Sequence, residues 1–263
     1  MIDNPRSPRV RAVAKLAKRS ARADTGLFLA EGPQAVAEAL AFRPETVVEF
    51  YATRQALDRY SSLAQAAVDA GVVIDSISDH VLTAMSDTVT PQGVIAVCRQ
   101  FPVSIDDLLS GGPKLIAILE EVRDPGNAGT IIRAADSAGA DGVILTGRSV
   151  DAYNPKVVRS TTGSIFHVPI AQGIELDAAV TKVRAAGLQV LAADIKGDDL
   201  PDLGERLAAP TAWLFGNEAH GLTEESLGLV DATVKVPIYG HAESMNLATA
   251  ASVCLYQSAF AQH

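Results

Sequence analysis

The 263-residue sequence predicts an α/β protein in two parts, a carboxyl-terminal parallel-sheet domain preceded by a small α/β domain. Three observations predict it. Short apolar runs rich in β-branched residues alternate with stretches of helical length, the pattern of strands covered by helices. One segment, Arg99 to Pro113 (RQFPVSIDDLLSGGP), concentrates Pro, Ser, Gly and Asp between two such runs and reads as an interdomain connection. In the second part, polar residues gather directly after the apolar runs, at the strand ends where open α/β sheets bind ligands.

Near the start, SPRVRAVAKLAKRSARA reads as a helix, with Ser7 as N-cap, Pro8 at the first position, and Val10, Val13, Ala14 and Ala17 along one face. EGPQAVAEALA and RQALDRYSSLAQAAVDAG follow as helices, and TVVEFYA, VVIDSI and GVIAVC as short strands. A break near residue 110 separates parts 1–109 and 110–263. Beyond it KLIAILE, GVILTG, LQVLAADI, TAWLF and TVKVPI read as strands with helices between most of them, hence a parallel sheet. The last helix, LATAASVCLYQSAF, is apolar nearly all round and must be covered by the sheet or by another subunit.

Composition narrows the function classes. With 48% hydrophobic and 20% charged residues, and no uncharged apolar run of membrane-spanning length, the chain reads as a folded protein outside the membrane. Cys98 and Cys254 sit far apart inside apolar runs without a CxxC motif, so they read as buried small hydrophobes in a reducing cytoplasm. A net charge of −9, evenly spread, would argue against a nucleic-acid partner. It is not evenly spread: Met1 to Arg22 holds seven basic residues against Asp3 alone, so that end carries +6 and the rest −15. Arg9, Arg11, Lys15, Lys18, Arg19 and Arg22 give the first helix a basic side, which suits a solvated helix, an organelle transit peptide or an RNA-facing helix.

Three polar loops carry the chemistry. In LEEVRDPGNAGTIIRAADSAGADGVIL a strand runs into the turn Pro125-Gly126-Asn127 and a helix opening near Asn127 or Thr130, whose free N–H groups suit an anion; Arg133 lies one turn in. In WLFGNEAHGLTEES, Gly216 ends a strand, and Glu218, His220 and Gly221 precede a short helix capped by Thr223. The third loop, VPIYGHAESMN, turns at Gly240 and leads to a helix capped by Ser244 or Asn246. GxGxxG, GxxxxGK[ST], GxSxG and HExxH are absent, His220 and His241 lack metal-ligand spacing, and Ser244 with His241 lacks a nucleophile elbow. What is left is a site of backbone and amide groups, suited to a cofactor that arrives already activated.

In this order, DPGNAGTIIRAA, LFGNEAHGL and VPIYGHAESMNLATAASVCLYQ resemble the three signature motifs of the SpoU (TrmH-like) family of SPOUT RNA 2′-O-ribose methyltransferases. NPKVVRSTTGSIFHVPI is similar to that family too, and VRAVAKLAKRSARADTGLFLAEGPQAVAEAL with TPQGVIAVC resembles its amino-terminal RNA-binding domain, related in fold to a ribosomal protein. The resemblance spans nearly the whole chain. It implies a deep trefoil knot, in which the second and third loops cross and hold S-adenosylmethionine bent, mostly through main-chain groups. By this resemblance Leu214, Gly216, Ile238, Met245 and Ala248 form the cofactor cleft, with Met245 where the family usually has Leu and Leu247 where it has Val or a similar residue.

The implied reaction moves the cofactor's methyl group to a ribose 2′-hydroxyl without a metal, with Arg133, Asn127, Glu218, Ser244 and Asn246 as the catalytic set. The family gives the arginine a proton role, but a guanidinium with a pKa above about 12 stays charged. Arg133 is therefore expected to hold the target phosphate and stabilise the developing alkoxide, with Asn127 positioning it and Glu218, Ser244 and Asn246 shaping the pocket and loop. Arg159, beside Ser160 and Thr161, is a second RNA candidate or a structural ion pair. The resemblance further implies a homodimer through the knot and last helix, acting on 23S ribosomal RNA. A transfer-RNA enzyme, an antibiotic-resistance methyltransferase and a non-catalytic RNA-binding module are the alternatives.

Overall fold

The computed structural model describes residues Met1–His263 and divides them into two compact units. Met1–Phe101 with Tyr153–His167 forms the first, and Pro102–Ala152 with Val168–His263 the second. The first runs α1 (Pro8–Lys15), α2 (Arg19–Thr25), β1 (Leu27–Glu31), α3 (Pro33–Phe42), β2 (Val47–Ala52), α4 (Arg54–Arg59), α5 (Ser61–Asp69), β3 (Ile74–Ser76), α6 (Asp79–Met85) and β4 (Val94–Arg99). Its sheet has the order β1-β4-β2-β3, antiparallel except between β2 and β3.

The predicted first helix starts as expected, with the Ser7 hydroxyl accepting the Val10 N–H and Val10 and Val13 buried. It is broken, however, at Leu16–Lys18. Leu16 is buried in the core, and the Arg22 guanidinium on α2 donates to the Leu16 and Ala17 carbonyls at 2.9 Å each, holding the end of the preceding turn. The stretch from Arg54 to Asp69 is likewise two helices, parted at Tyr60.

The chain continues through α7 (Ile105–Ser110), β5 (Leu115–Glu120), α8 (Pro125–Ser137), β6 (Gly142–Thr146), α9 (Pro155–Thr161), β7 (Ile170–Ile174), α10 (Leu176–Ala185), β8 (Gln189–Asp199), β9 (Thr211–Phe215), α11 (Glu224–Gly228), β10 (Ala232–Lys235) and α12 (Leu247–Gln262). The six strands of this unit are all parallel, in the order β10-β8-β9-β5-β6-β7. The parallel α/β architecture read from the sequence is present, and its central strands β5, β6 and β9 are buried almost throughout because both faces are covered. Buried Trp213 on β9 donates through Nε1 to the Ser258 hydroxyl of α12 at 2.9 Å, seating that apolar helix on the sheet. No helix is long and apolar enough to cross a membrane.

This division differs from a single break at 109/110. α7 lies within the supposed connection, but Ile105 and Leu108 bury in the core of the second unit. Tyr153–His167, part of NPKVVRSTTGSIFHVPI, folds with the first unit instead: the Phe28 ring lies 4.8 Å from that of Tyr153 and 6.1 Å from that of Phe166. The segment also brings Arg159 to Glu31 and Asp87 of that unit, at 3.4 and 2.9 Å.

Candidate functional site

In the parallel sheet the chain moves outward through β5, β6 and β7, then crosses so that β9 pairs with β5 on its other side. Strand order reverses there, and the loops after β5 and β9 open side by side, the usual place for a ligand in such a sheet. The loop after β5 enters α8 at once. Asp124 is the N-cap, its carboxylate accepting the Asn127 N–H at 2.7 Å, so the predicted Pro125-Gly126-Asn127 turn is the first turn of the helix. After β9, Asn217 organises a tight turn: its side-chain oxygen accepts the Ala219 and His220 N–H groups at 2.9 and 3.3 Å, and its carbonyl accepts the Gly221 N–H at 2.9 Å. Asn246 rather than Ser244 caps α12, accepting from the Ala248 and Thr249 N–H groups at 2.9 and 3.2 Å.

These loops are joined through side chains. Asn246 Nδ2 donates to Asn127 Oδ1 at 3.0 Å, and Asn127 Nδ2 donates to Glu218 Oε1 at 3.4 Å. The same carboxylate accepts the Asp124 N–H at 3.0 Å and the Arg123 N–H at 3.3 Å. Asn127, Glu218 and Asn246, one from each motif, therefore form one hydrogen-bonded chain. Asn127 does not bond Arg133: six residues apart on α8, the two fall on different faces, because helix neighbours are three or four apart. Arg133 is exposed, and no ion pair or side-chain hydrogen bond engages its guanidinium.

Beside this chain lies a cleft of about 410 Å³, within the size range of small-molecule sites. Ile195, Leu222, Ile238, Met245 and Leu247 supply apolar wall, and Asp194, Glu218 and Ser244 supply polar groups. Of the five expected cofactor residues, Ile238 and Met245 line it. Leu214, Gly216 and Ala248 are buried next to it in chain position, Leu214 inside the hydrophobic core. Gly216 has a packing reason: a Cβ there would sit 2.7 Å from the Gly221 carbonyl carbon and 2.7 Å from Leu222 Cγ. A second cavity, of about 550 Å³, shares Asn217, His220, Gly221 and Leu222 with the first and is also lined by Glu120, Glu121, Arg123 and Arg148. Burial pushes the Glu120 carboxyl above its ordinary range, against the opposing hydrogen bond from the Thr146 hydroxyl. Asn217, Glu121, Arg123 and Arg148 were not candidates from sequence. Asn217 could have been found from its place between Gly216 and Glu218.

The basic residues of the first unit divide into two groups. Arg11, Lys15, Lys18 and Arg19 are exposed. Arg9 is not free, reaching Glu49 at 3.3 Å and Asp75 at 2.5 Å and lying 5.0 Å over the Tyr51 ring. Arg22 is 2% exposed and Arg159 is held by Glu31 and Asp87, so both hold the fold together.

The protein-family comparison matches residues 114–256 to the SpoU rRNA methylase family and residues 7–96 to an MRM3-like substrate-binding domain. The chain is 32% identical to the 23S rRNA (guanosine(2553)-2′-O)-methyltransferase RlmP of Bacillus subtilis strain 168, over 97% of each chain. The crystal structure of an AdoMet-bound rRNA methyltransferase from Sinorhizobium meliloti superposes with a TM-score of 0.84 at 30% identity, covering 98% of this chain and 96% of that one. The SpoU methyltransferase AviRb from Streptomyces viridochromogenes, in complex with AdoMet, gives a TM-score of 0.82 at 29% identity, over 97% of this chain and 98% of that one. A parallel sheet that opens its β5 and β9 loops together, three motifs joined through Asn127, Glu218 and Asn246, and a family match over more than half its length make this chain a member of the SpoU rRNA methylase family.

Proposed function

We propose that this protein transfers a methyl group from S-adenosylmethionine to a ribose 2′-hydroxyl of 23S ribosomal RNA in the cytoplasm. The observation that carries the reading is the hydrogen-bonded chain Asn246–Asn127–Glu218 at the edge of the 410 Å³ cleft, because it brings all three motifs to one place. The cleft suits the cofactor: apolar Ile238, Met245 and Leu222 offer a surface for a flat ring, and Asp194 and Glu218 offer acceptors for hydroxyl or ammonium donors. Gly216 lets the Gly221 backbone approach to a distance no side chain would tolerate. When bound, S-adenosylmethionine supplies a methyl group already activated on a sulfonium.

The chain's own residues must then align the hydroxyl and handle its proton. Arg133, exposed and unpaired, holds the target phosphate and stabilises the developing alkoxide while staying charged. The Glu218 oxygens are already engaged, accepting from the Asp124 and Arg123 N–H groups and from Asn127 Nδ2, so Glu218 serves to hold the loops. The proton leaves to water. Asn127 and Asn246 hold the first and third loops in register, and Ser244 shapes the cleft wall.

Three finer features belong to the same reading. The loops after β9 and β10 thread as a deep trefoil knot. The knot and α12 pair with a second copy, for which exposed Phe260, packed 5.5 Å from Tyr256, offers an apolar contact. Residues 7–96 bind RNA through the exposed Arg11, Lys15, Lys18 and Arg19. The test is transfer of labelled methyl to purified 23S ribosomal RNA and, in parallel, to total transfer RNA, mapped by the alkali resistance of the 2′-O-methylated linkage. Label at one 23S position is expected. Label in transfer RNA alone replaces the substrate, and absent cofactor binding refutes the enzyme reading.

A further inference from the structure

Glu121 follows β5 directly and holds a φ of 53°, one of two non-glycine residues in the left-handed region. Side chains disfavour that backbone, which persists where surrounding contacts impose it. Both ends of Glu121 are engaged. Its carbonyl accepts the Asn217 Nδ2 at 2.8 Å. Its carboxylate accepts Arg123 Nη2 at 2.6 Å and the Arg148 N–H at 2.9 Å, with Arg148 Nε 3.5 Å away. The Arg123 guanidinium and the Arg148 N–H hold this carboxyl below its ordinary range.

The two attachments lead to different places. Asn217 builds the 217–221 turn, a wall of the 410 Å³ cleft, and Gly216 packs against the far end of that turn. Arg123 and Arg148 line the neighbouring 550 Å³ cavity, with side chains 57% and 85% exposed. Each guanidinium has five N–H donors and gives few of them to Glu121, so each keeps donors free for a phosphate. A surface ion pair alone would be weak, and would need neither the left-handed backbone nor the link to Asn217.

We propose that Glu121 is a positioning residue with two outputs: its carbonyl fixes the Asn217 turn against the cofactor cleft, and its carboxylate orders Arg123 and Arg148 as a contact for an RNA phosphate beside the reacting ribose. The inference rests on the methyltransferase reading above. Asn217→Asp keeps oxygen acceptors for the Ala219 and His220 N–H groups but has nothing to donate to the Glu121 carbonyl. Glu121→Gly keeps the carbonyl and suits a positive φ, but removes the carboxylate.

The experiment measures S-adenosylmethionine Kd by calorimetry without RNA, and the KM and salt dependence for a 23S ribosomal RNA transcript. Asn217→Asp is expected to weaken cofactor binding about tenfold while leaving the RNA KM within about twofold. Glu121→Gly is expected to do the reverse, raising the RNA KM about three- to tenfold and lowering the salt slope by about 1 to 2 at an unchanged cofactor Kd. Glu121→Asp should recover part of the RNA KM. A wild-type cofactor Kd in Asn217→Asp, or parallel loss of both constants in both variants, overturns the two-output role while the methyltransferase reading stands. A wild-type protein that binds no cofactor overturns both.

Discussion

Asn246 performs two tasks with different atoms, and Asn246→Asp separates them. Oδ1 caps α12 and Nδ2 donates to Asn127. Asp is as good an N-cap as Asn, and its charge suits a helix N-terminus by about 0.3–1 kcal/mol, so the cap itself should be retained. The link to Asn127 should fail. A carboxylate oxygen would face Asn127 Oδ1, at a site where the two groups now lie 3.0 Å apart. If the Asn127 amide turned over to meet it, the donor now aimed at Glu218 would be withdrawn.

In either orientation one bond is lost, about 1 kcal/mol, and two acceptor oxygens are left facing each other, one of them charged, which brings the total to about 2–3 kcal/mol. At about 1.4 kcal/mol per tenfold, kcat/KM should drop about 30- to 150-fold. Asn246→Ala should lose the bond to Asn127 alone, about 1 kcal/mol or about fivefold in kcat/KM, and also give up the cap, about 1 kcal/mol or about 2–4 °C in the melting midpoint. The assay is thermal melting beside initial rates of labelled-methyl transfer. Wild-type kcat/KM in Asn246→Asp would refute the reasoning, as would a larger loss of kcat/KM in Asn246→Ala than in Asn246→Asp.

Gly216→Ala places a methyl group 2.7 Å from backbone that cannot swing aside, an overpacking of about 1–3 kcal/mol, and calorimetry should show S-adenosylmethionine binding weakened about tenfold; unchanged affinity would mean the turn relaxes freely. Arg22→Met should cost about 2–3 kcal/mol in urea unfolding by removing two buried hydrogen bonds, yet leave the salt slope of RNA binding alone. The quadruple alanine variant of Arg11, Lys15, Lys18 and Arg19 should do the opposite, lowering that slope by about 3 at an unchanged melting midpoint. Burial pushes the Cys98 and Cys254 thiols up to about 12. A raised native pKa means the folded state keeps its proton above the unfolded value near 8.5, so stability should fall with rising pH by about 1.4 kcal/mol per unit per thiol. Melting from pH 8 to 10 should show this slope, and a Cys98→Ala/Cys254→Ala variant should flatten it.

What could be read from the sequence followed local rules. The second unit's apolar strands, each ending in polar residues, announced both the parallel sheet and the loops that matter. Ser7 and Thr223 read as caps, and Asn246 as one of two with Ser244, because a cap is defined within three residues. What could not be read was tertiary. Leu16-Ala17-Lys18 contains good helix formers, and the break there depends on a guanidinium from the next helix. Arg9 looked like an RNA contact because its partners, Glu49 and Asp75, lie 40 and 66 residues away. The Asn246–Asn127 bond spans 119 residues, so the pairing of amide with amide, in place of Asn127 with Arg133, had no local signal. Glu121 in a left-handed backbone contradicts local preference altogether.

The excursion of Tyr153–His167 into the first unit bears on how the molecule can be made and taken apart. Synthesis passes Phe101 before Tyr153, Arg159 and Phe166 exist, so Phe28 must wait for its aromatic neighbours and Glu31 for the cation that neutralises it. The amino-terminal unit can therefore mature only after β5, α8 and β6 have been synthesised, and its completion is tied to theirs. A truncation after Phe101 would not yield an autonomous cassette but a core missing one wall. Swapping this unit between relatives would require transplanting two separate pieces of chain together.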